Sequence, residues 1–135
     1  MSAPSSDDLL ALARTAAAAG AWGDVRATLE GDPAGTERDG ARAVLLADAC
    51  LWTGDPRAAS TWLTRALPLL TAAADRPAMR RSVNMQGAAA FALGALDEAS
   101  NRFSQALSMA LSDDDTLLTA RATNNLGLIE ALRGN

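Results

Sequence analysis

The run Gly94-Ala95-Leu96-Asp97-Glu98-Ala99-Ser100-Asn101-Arg102-Phe103-Ser104-Gln105-Ala106-Leu107 has a degraded copy upstream, Gly54-Asp55-Pro56-Arg57-Ala58-Ala59-Ser60-Thr61-Trp62-Leu63-Thr64-Arg65-Ala66-Leu67. Both carry Gly, then Ala, then a large apolar residue (Leu63, Phe103), and both close on Ala-Leu. A copy at fixed offset restricts the chain to architectures in which each unit buries its apolar face on the next. Such arrays usually build binding surfaces rather than catalytic pockets.

Composition agrees with helical units. Hydrophobic residues make up 49% of the 135 residues while aromatics reach only 4%, so alanine carries much of the apolar content. Alanine is the best helix former and lets backbones approach closely. There is no Tyr and no alternating β-branched run to suggest strands. The expected fold class is all-α, in a single domain over 1–135.

The formal charge of −4 and the pI near 4.7 argue against nucleic acid as a partner. All 12 basic residues are Arg. One cysteine, Cys50, excludes an internal disulfide and fits a reducing compartment. The first residues lack the basic and apolar regions of a secretory signal. No apolar run approaches the ~20 residues needed to cross a bilayer. A cytoplasmic location without membrane contact is the expectation.

Gly20, Gly54, Gly94 and Gly134 frame the repeats, at spacings of 34, 40 and 40. Each follows a helical pattern, as expected of a glycine closing a helix in the left-handed conformation. Asp55-Pro56 reads as an N-cap followed by Pro at the first helical position. Asp75-Arg76-Pro77 and Ser112-Asp113-Asp114-Asp115 place carboxylates at helix starts, where the helix dipole favours them. Asp32-Pro33-Ala34-Gly35 reads as a loop. The pattern predicts about seven antiparallel helices, over 6–19, 22–31, 37–53, 56–73, 77–93, 96–111 and 114–133. They pair into repeats over about 6–31, 37–73 and 77–111, with a half repeat over 114–133.

Small residues recur where paired helices must cross: Ala13, Ala47, Gly87 and Gly127 on the first helices, Ala59/Ala66 and Ala99/Ala106 on the second. Gly87, Gly94, Ala99, Phe103 and Ala106, echoed by Ala47, Gly54, Ala59, Leu63 and Ala66, give the chain a pattern that resembles the tetratricopeptide repeat (TPR) family. The first repeat is more divergent, with Trp22 at an aromatic position but Val25 and Asp32 where the family has small residues. Asn124-Asn125-Leu126-Gly127 looks like the opening helix of a fourth. The 40-residue spacings exceed the family's usual length of about 34. Such long repeats resemble those of kinesin light chains and bacterial TPR regulators. The resemblance implies an α-α superhelix, a TPR-like solenoid of three and a half repeats.

Residues suited to catalysis are sparse. Histidine is absent, which removes the commonest general base and metal ligand. Cys50 lies in a helical Ala-Cys-Leu-Trp run and reads as a small buried hydrophobe. The acidic run Asp113-Asp114-Asp115 reads as a solvated helix cap rather than a cation site. The Gly31–Thr36 segment lacks the lysine of a phosphate loop. An enzyme is not expected, nor is any cofactor or metal.

In a TPR array the first helix of each repeat lines the concave face. The resemblance places Arg81, Asn84, Ala88 and Phe91 there in the third repeat, and Arg121, Asn124, Leu128 and Ala131 in the fourth. Arg-x-x-Asn thus recurs at a spacing of 40. Arg grips carboxylates in bidentate fashion, and Asn bonds peptide backbone through donor and acceptor. An extended peptide with an acidic group would satisfy such a row. Alternatively the arginines snorkel and the asparagines bond a neighbouring helix. Upstream the groove changes to Asp48, Val44 and Trp52, then Asp7 and Arg14. Without Lys, the chain lacks the mixed carboxylate clamp of chaperone-binding TPRs.

Trp22 is expected to fill the first hairpin, and Trp52 and Trp62 to pack in the core or between repeats. The last helix carries Leu118, Ala122 and Ile129 and lacks a following partner helix. That apolar face predicts an alternative role: a structural or oligomerisation module forming a symmetric dimer through it. The leading expectation is a non-catalytic protein–protein interaction module, scaffold or regulatory, that binds a peptide or protein segment in the concave groove.

Overall fold

A computed structural model describes residues 3–134. The described residues form eight helices and no strand: α1 (Ser6–Ala18), α2 (Trp22–Glu30), α3 (Pro33–Arg38), α4 (Gly40–Trp52), α5 (Pro56–Ala73), α6 (Arg76–Ala92), α7 (Leu96–Ser112) and α8 (Thr116–Leu132). The all-α expectation is met. The eighth element is α3, in a stretch that reads as a loop. Asp32 caps it, accepting a hydrogen bond from the Gly35 N–H, and Pro33 starts it. Buried Thr36 fixes it on α2 by donating from Oγ1 to the Leu29 carbonyl at 3.1 Å. The predicted helix over 37–53 is therefore broken at Asp39, whose carboxylate caps α4 by accepting from the Ala41 N–H at 3.0 Å.

Three helix starts share one device. Asp55, Asp75 and Asp115 each accept from the N–H three residues on, at 3.2, 3.2 and 3.0 Å. Ser5 and Asp8 form a reciprocal capping box at α1. The ends are equally specified. Gly54 sits at φ +80 after α4, and the Asp55 N–H reaches back to the Cys50 carbonyl at 2.8 Å. This six-residue closure needs a left-handed residue, which glycine adopts without steric cost. Gly20 and Gly94 do the same after α1 and α6.

Each short turn folds a helix back on its predecessor. α1 packs on α2, α4 on α5, α6 on α7 and α7 on α8, while α5 also meets α6. α4 further touches α6, and α6 touches α8, so these three helices stand side by side along one face. The larger core cluster joins Val25, Leu29, Leu46, Leu63 and Leu70 with small residues such as Ala13, Ala47 and Ala59. A second cluster joins Ala90, Ala99, Phe103 and Ile129 across α6, α7 and α8.

Two polar networks tie the hairpins together. The Arg42 side chain, 7% exposed, contacts the carboxylates of Asp39 (3.1 Å), Asp7 (3.2 Å) and Asp32 (3.4 Å). It also donates to the Ser6 carbonyl at 2.7 Å, which pins the start of α1 to α3 and α4. At the other end Arg76 and Arg80 share Asp113, at 2.9 and 2.8 Å, and Arg80 reaches Asp115. The acidic run thus serves as a cap and as the tie between α6 and the α7–α8 turn.

The expected dimer face is corrected here. Leu118, Ala122 and Ile129 are 4%, 0% and 1% exposed. Ile129 packs with Phe103 and Ala99, and Ala122 with Val83 and Ala106, so α6 and α7 already cover this side of α8. The outward leucines of the helix are Leu117, Leu128 and Leu132. Gly127 is not a close crossing either: a Cβ there would meet nothing within 4 Å.

Candidate ligand-binding cleft

The shared face of α4, α6 and α8 encloses a cleft of about 580 Å³, within the range of ligand sites of roughly 300–1,000 Å³. α4 contributes Asp48, Leu51 and Trp52, α6 contributes Arg81, Asn84, Met85 and Ala88, and α8 contributes Leu118 and Arg121. These positions recur at helical spacing, so each helix presents one turn-by-turn stripe to the same space. A smaller chamber continues towards α1, where Arg14 and Leu10 meet Asp48 and Arg81.

Arg81 and Arg121 face this cleft from neighbouring helices. Both are exposed, and among the described residues neither closes an ion pair within 4 Å. That separates them from Arg26, Arg42, Arg76 and Arg80, which are held by carboxylates. Asn84 is half-buried, and its side-chain oxygen accepts a long hydrogen bond from Asn125 Nδ2 at 3.5 Å. With its oxygen so used, the Asn84 amide nitrogen is its remaining donor.

Asp48 supplies the one carboxylate among the lining residues of both chambers. It is half-buried, and burial pushes its pKa up while the positive charges of Arg121 and Arg81 pull it down. The cleft therefore holds three arginines against one acid, in a chain whose net charge is −4.

One wall is aromatic. Trp22 and Trp52 stack with centroids 5.9 Å apart and planes 7° from parallel. Trp22 is half-buried against the core, and Trp52, 68% exposed, packs on it from the next hairpin, so Trp52 lies between hairpins and not in the core. Trp62 lies elsewhere on α5, half-buried under the Arg65 guanidinium at 5.2 Å. The Trp22–Trp52 stack was not legible in the sequence, because the two lie thirty positions apart on different hairpins, whereas Trp62 and Arg65 are three positions apart on one helix.

The six residues proposed for the concave face divide. Arg81, Asn84 and Arg121 come together in the main cleft. Phe91 and Leu128 line a separate small apolar recess of about 110 Å³ with Ala88, Phe103 and Asn125. Asn124 is exposed, and it is Asn125 that turns towards Asn84. The Arg-x-x-Asn echo therefore does not build two equivalent pairs: on α8 the asparagine one residue further takes the part.

Cys50 is buried, and burial pushes its thiol up, away from the reactive thiolate. Among the described residues no group of three or more His, Cys, Asp or Glu side chains is placed to hold a metal ion. No helix among them is long and apolar enough to cross a membrane. No protein-family model, curated protein or solved structure matches the chain.

Proposed function

We propose that the chain is a TPR-like helical-repeat module that binds a peptide or protein segment in the cleft between α4, α6 and α8, in a scaffold or regulatory role. The observation that carries this reading is the unpaired Arg81 and Arg121 on adjacent helices, lining one cleft with Asn84 and the exposed Trp52. Guanidinium groups and exposed aromatics are the side chains that most often anchor interfaces. The left-handed glycines after α1, α4 and α6 support a repeating hairpin, as does the way each helix packs on the next. The double variant Arg81→Ala/Asn84→Ala should abolish capture of a peptide ligand selected from a random peptide library against the wild-type protein. Undiminished capture by a folded double variant would refute the assignment of the cleft.

A second reading is favoured by the outer side of α8, where Leu117, Leu128 and Leu132 are 60%, 51% and 63% exposed. On that reading the chain is a structural or self-associating module whose contact is this leucine face. Light scattering across a concentration series decides it: a strict monomer at high concentration would eliminate the dimer.

A further inference from the structure

The three arginines of the cleft face one carboxylate that none of them closes on. Asp48 sits where the two chambers meet, on α4, with Arg81 of α6 and Arg121 of α8 in the main cleft and Arg14 of α1 in the side chamber. These are the charged groups of the lining, and all but Asp48 are cations. The polar groups the ligand meets are therefore donors: two guanidinium groups and the Asn84 amide. The apolar ones are Trp52, Leu51, Met85, Ala88 and Leu118. A ligand complementary to this surface carries an anionic acceptor beside a flat apolar side chain.

We infer that the cleft takes an acidic peptide, seating a glutamate or aspartate side chain between Arg81 and Arg121 with a neighbouring aromatic residue on Trp52, and that Asp48 is an internal competitor that weakens this contact. The inference rests on the peptide-binding reading above. Asp48 acts by charge. As an ionised carboxylate it lowers the positive potential at Arg81 and Arg121, and it repels the incoming acid directly. Neutralising it by substitution or protonation leaves the arginines to the ligand alone. Burial favours its neutral form, so acidification removes this competing charge more readily than that of an exposed aspartate, and the handicap imposed by Asp48 shrinks as pH falls.

The test uses the full chain and two blocked peptides, acetyl-Gly-Phe-Glu-Phe-Gly-amide and the same sequence with Gln for Glu. Titrations are followed by NMR at the Trp52 indole N–H and the backbone N–H groups of Asn84 and Arg121. The Glu peptide is expected to bind more tightly than the Gln peptide. Asp48→Asn should tighten the Glu peptide by up to about fivefold, the span of a partly exposed charge contact, with the Gln peptide unchanged. As pH is lowered, the affinity gap between wild type and Asp48→Asn for the Glu peptide should narrow, because wild type loses the competing charge. Should Asp48→Asn fail to fold, Arg81→Gln serves instead and must erase the preference for Glu. Equal binding of both peptides at these resonances would overturn the acidic preference while leaving peptide binding in place. An unchanged Glu affinity in Asp48→Asn would overturn the role of Asp48. If neither peptide shifts any of the three resonances, both the inference and the reading beneath it fall.

Discussion

The ring of Phe103 on α7 fills the space that a side chain at Gly87 on α6 would need: a Cβ built at Gly87 would lie 2.6 Å from both Phe103 Cδ1 and Cε1. Phe103 is itself 2% exposed, so its ring must shift within the core to admit a methyl group. Gly87→Ala should therefore destabilise the fold by about 1–2 kcal/mol, overpacking outweighing the gain in helix propensity. Gly127, forty residues on, is the control. Its Cβ position is open, so Gly127→Ala should stabilise by roughly 0.5–1 kcal/mol. Urea unfolding of the two variants should show shifts of opposite sign.

α5 and α7 close with the same backbone device as α1, α4 and α6, but without glycine. Ala74 and Asp114 sit at φ 51 and 55, and the N–H groups of Asp75 and Asp115 reach back to the Leu70 and Ala110 carbonyls at 3.1 and 2.8 Å. A Cβ in the left-handed region costs about 1 kcal/mol, least for Asp. Ala74→Gly should consequently raise stability by about 0.5–1 kcal/mol, visible as a higher urea midpoint. An unchanged or lower midpoint would mean that the turn is not strained at Ala74.

These two turns explain where the sequence could be read and where it could not. Left-handed glycines and Asp N-caps are local signals, so the bounds of α5, and within a residue or two those of α1, α2, α6, α7 and α8, followed from single residues. Ala74 and Asp114 carry no such mark. α3 was hidden for the opposite reason. Asp32-Pro33 is the same start signal as Asp55-Pro56, but Gly35 two residues on suggested a break. What places Gly35 in a helix is tertiary: Ser6 Oγ and the Asp32 carboxylate fill the space where its Cβ would stand. For the cleft, the resemblance to the tetratricopeptide pattern pointed to Arg81, Asn84 and Arg121. It could not show that α6 and α7 together cover Ala122 and Ile129, or that Asn125 rather than Asn124 meets Asn84. Those depend on how helices lie against one another.

Arg42 offers a test of how α1 is held. Its guanidinium is buried between three carboxylates and the Ser6 carbonyl, so truncation removes the one cationic donor these acceptors share. Arg42→Ala should cost about 2–3 kcal/mol, the range for hydrogen bonds to charged groups at a largely buried site. Arg42→Lys should recover only part, since an ammonium cannot span the fan of acceptors. Hydrogen exchange localises the effect: protection should fall first at the start of α1, with α6–α8 unaffected. A uniform loss along the chain would mean that Arg42 supports the whole core instead.

Acid should act on this protein through two opposed sets of carboxylates. Asp55, Asp113 and Asp115 are held below the usual range, Asp55 and Asp113 chiefly by hydrogen bonds from Arg26 and Arg76 and Asp115 by the Leu118 N–H. Their folded pKa values lie below the unfolded ones, so their contribution is full above about pH 4 and is lost as pH falls through the depressed values. Asp48 runs the other way. Its folded pKa is raised by burial, so the folded state takes up its proton more readily, and stability declines as pH rises from the unfolded to the folded value. Asp48→Asn removes that penalty. The variant should melt higher than wild type at neutral pH, and the gap should close as pH falls past the raised pKa towards about pH 4. Asp113→Asn should do the reverse, melting lower at neutral pH because Arg76 and Arg80 lose their shared partner. Melting curves of the three proteins between neutral pH and pH 3 would show it, and a gap for Asp48→Asn that widens on acidification would contradict the sign assigned to Asp48.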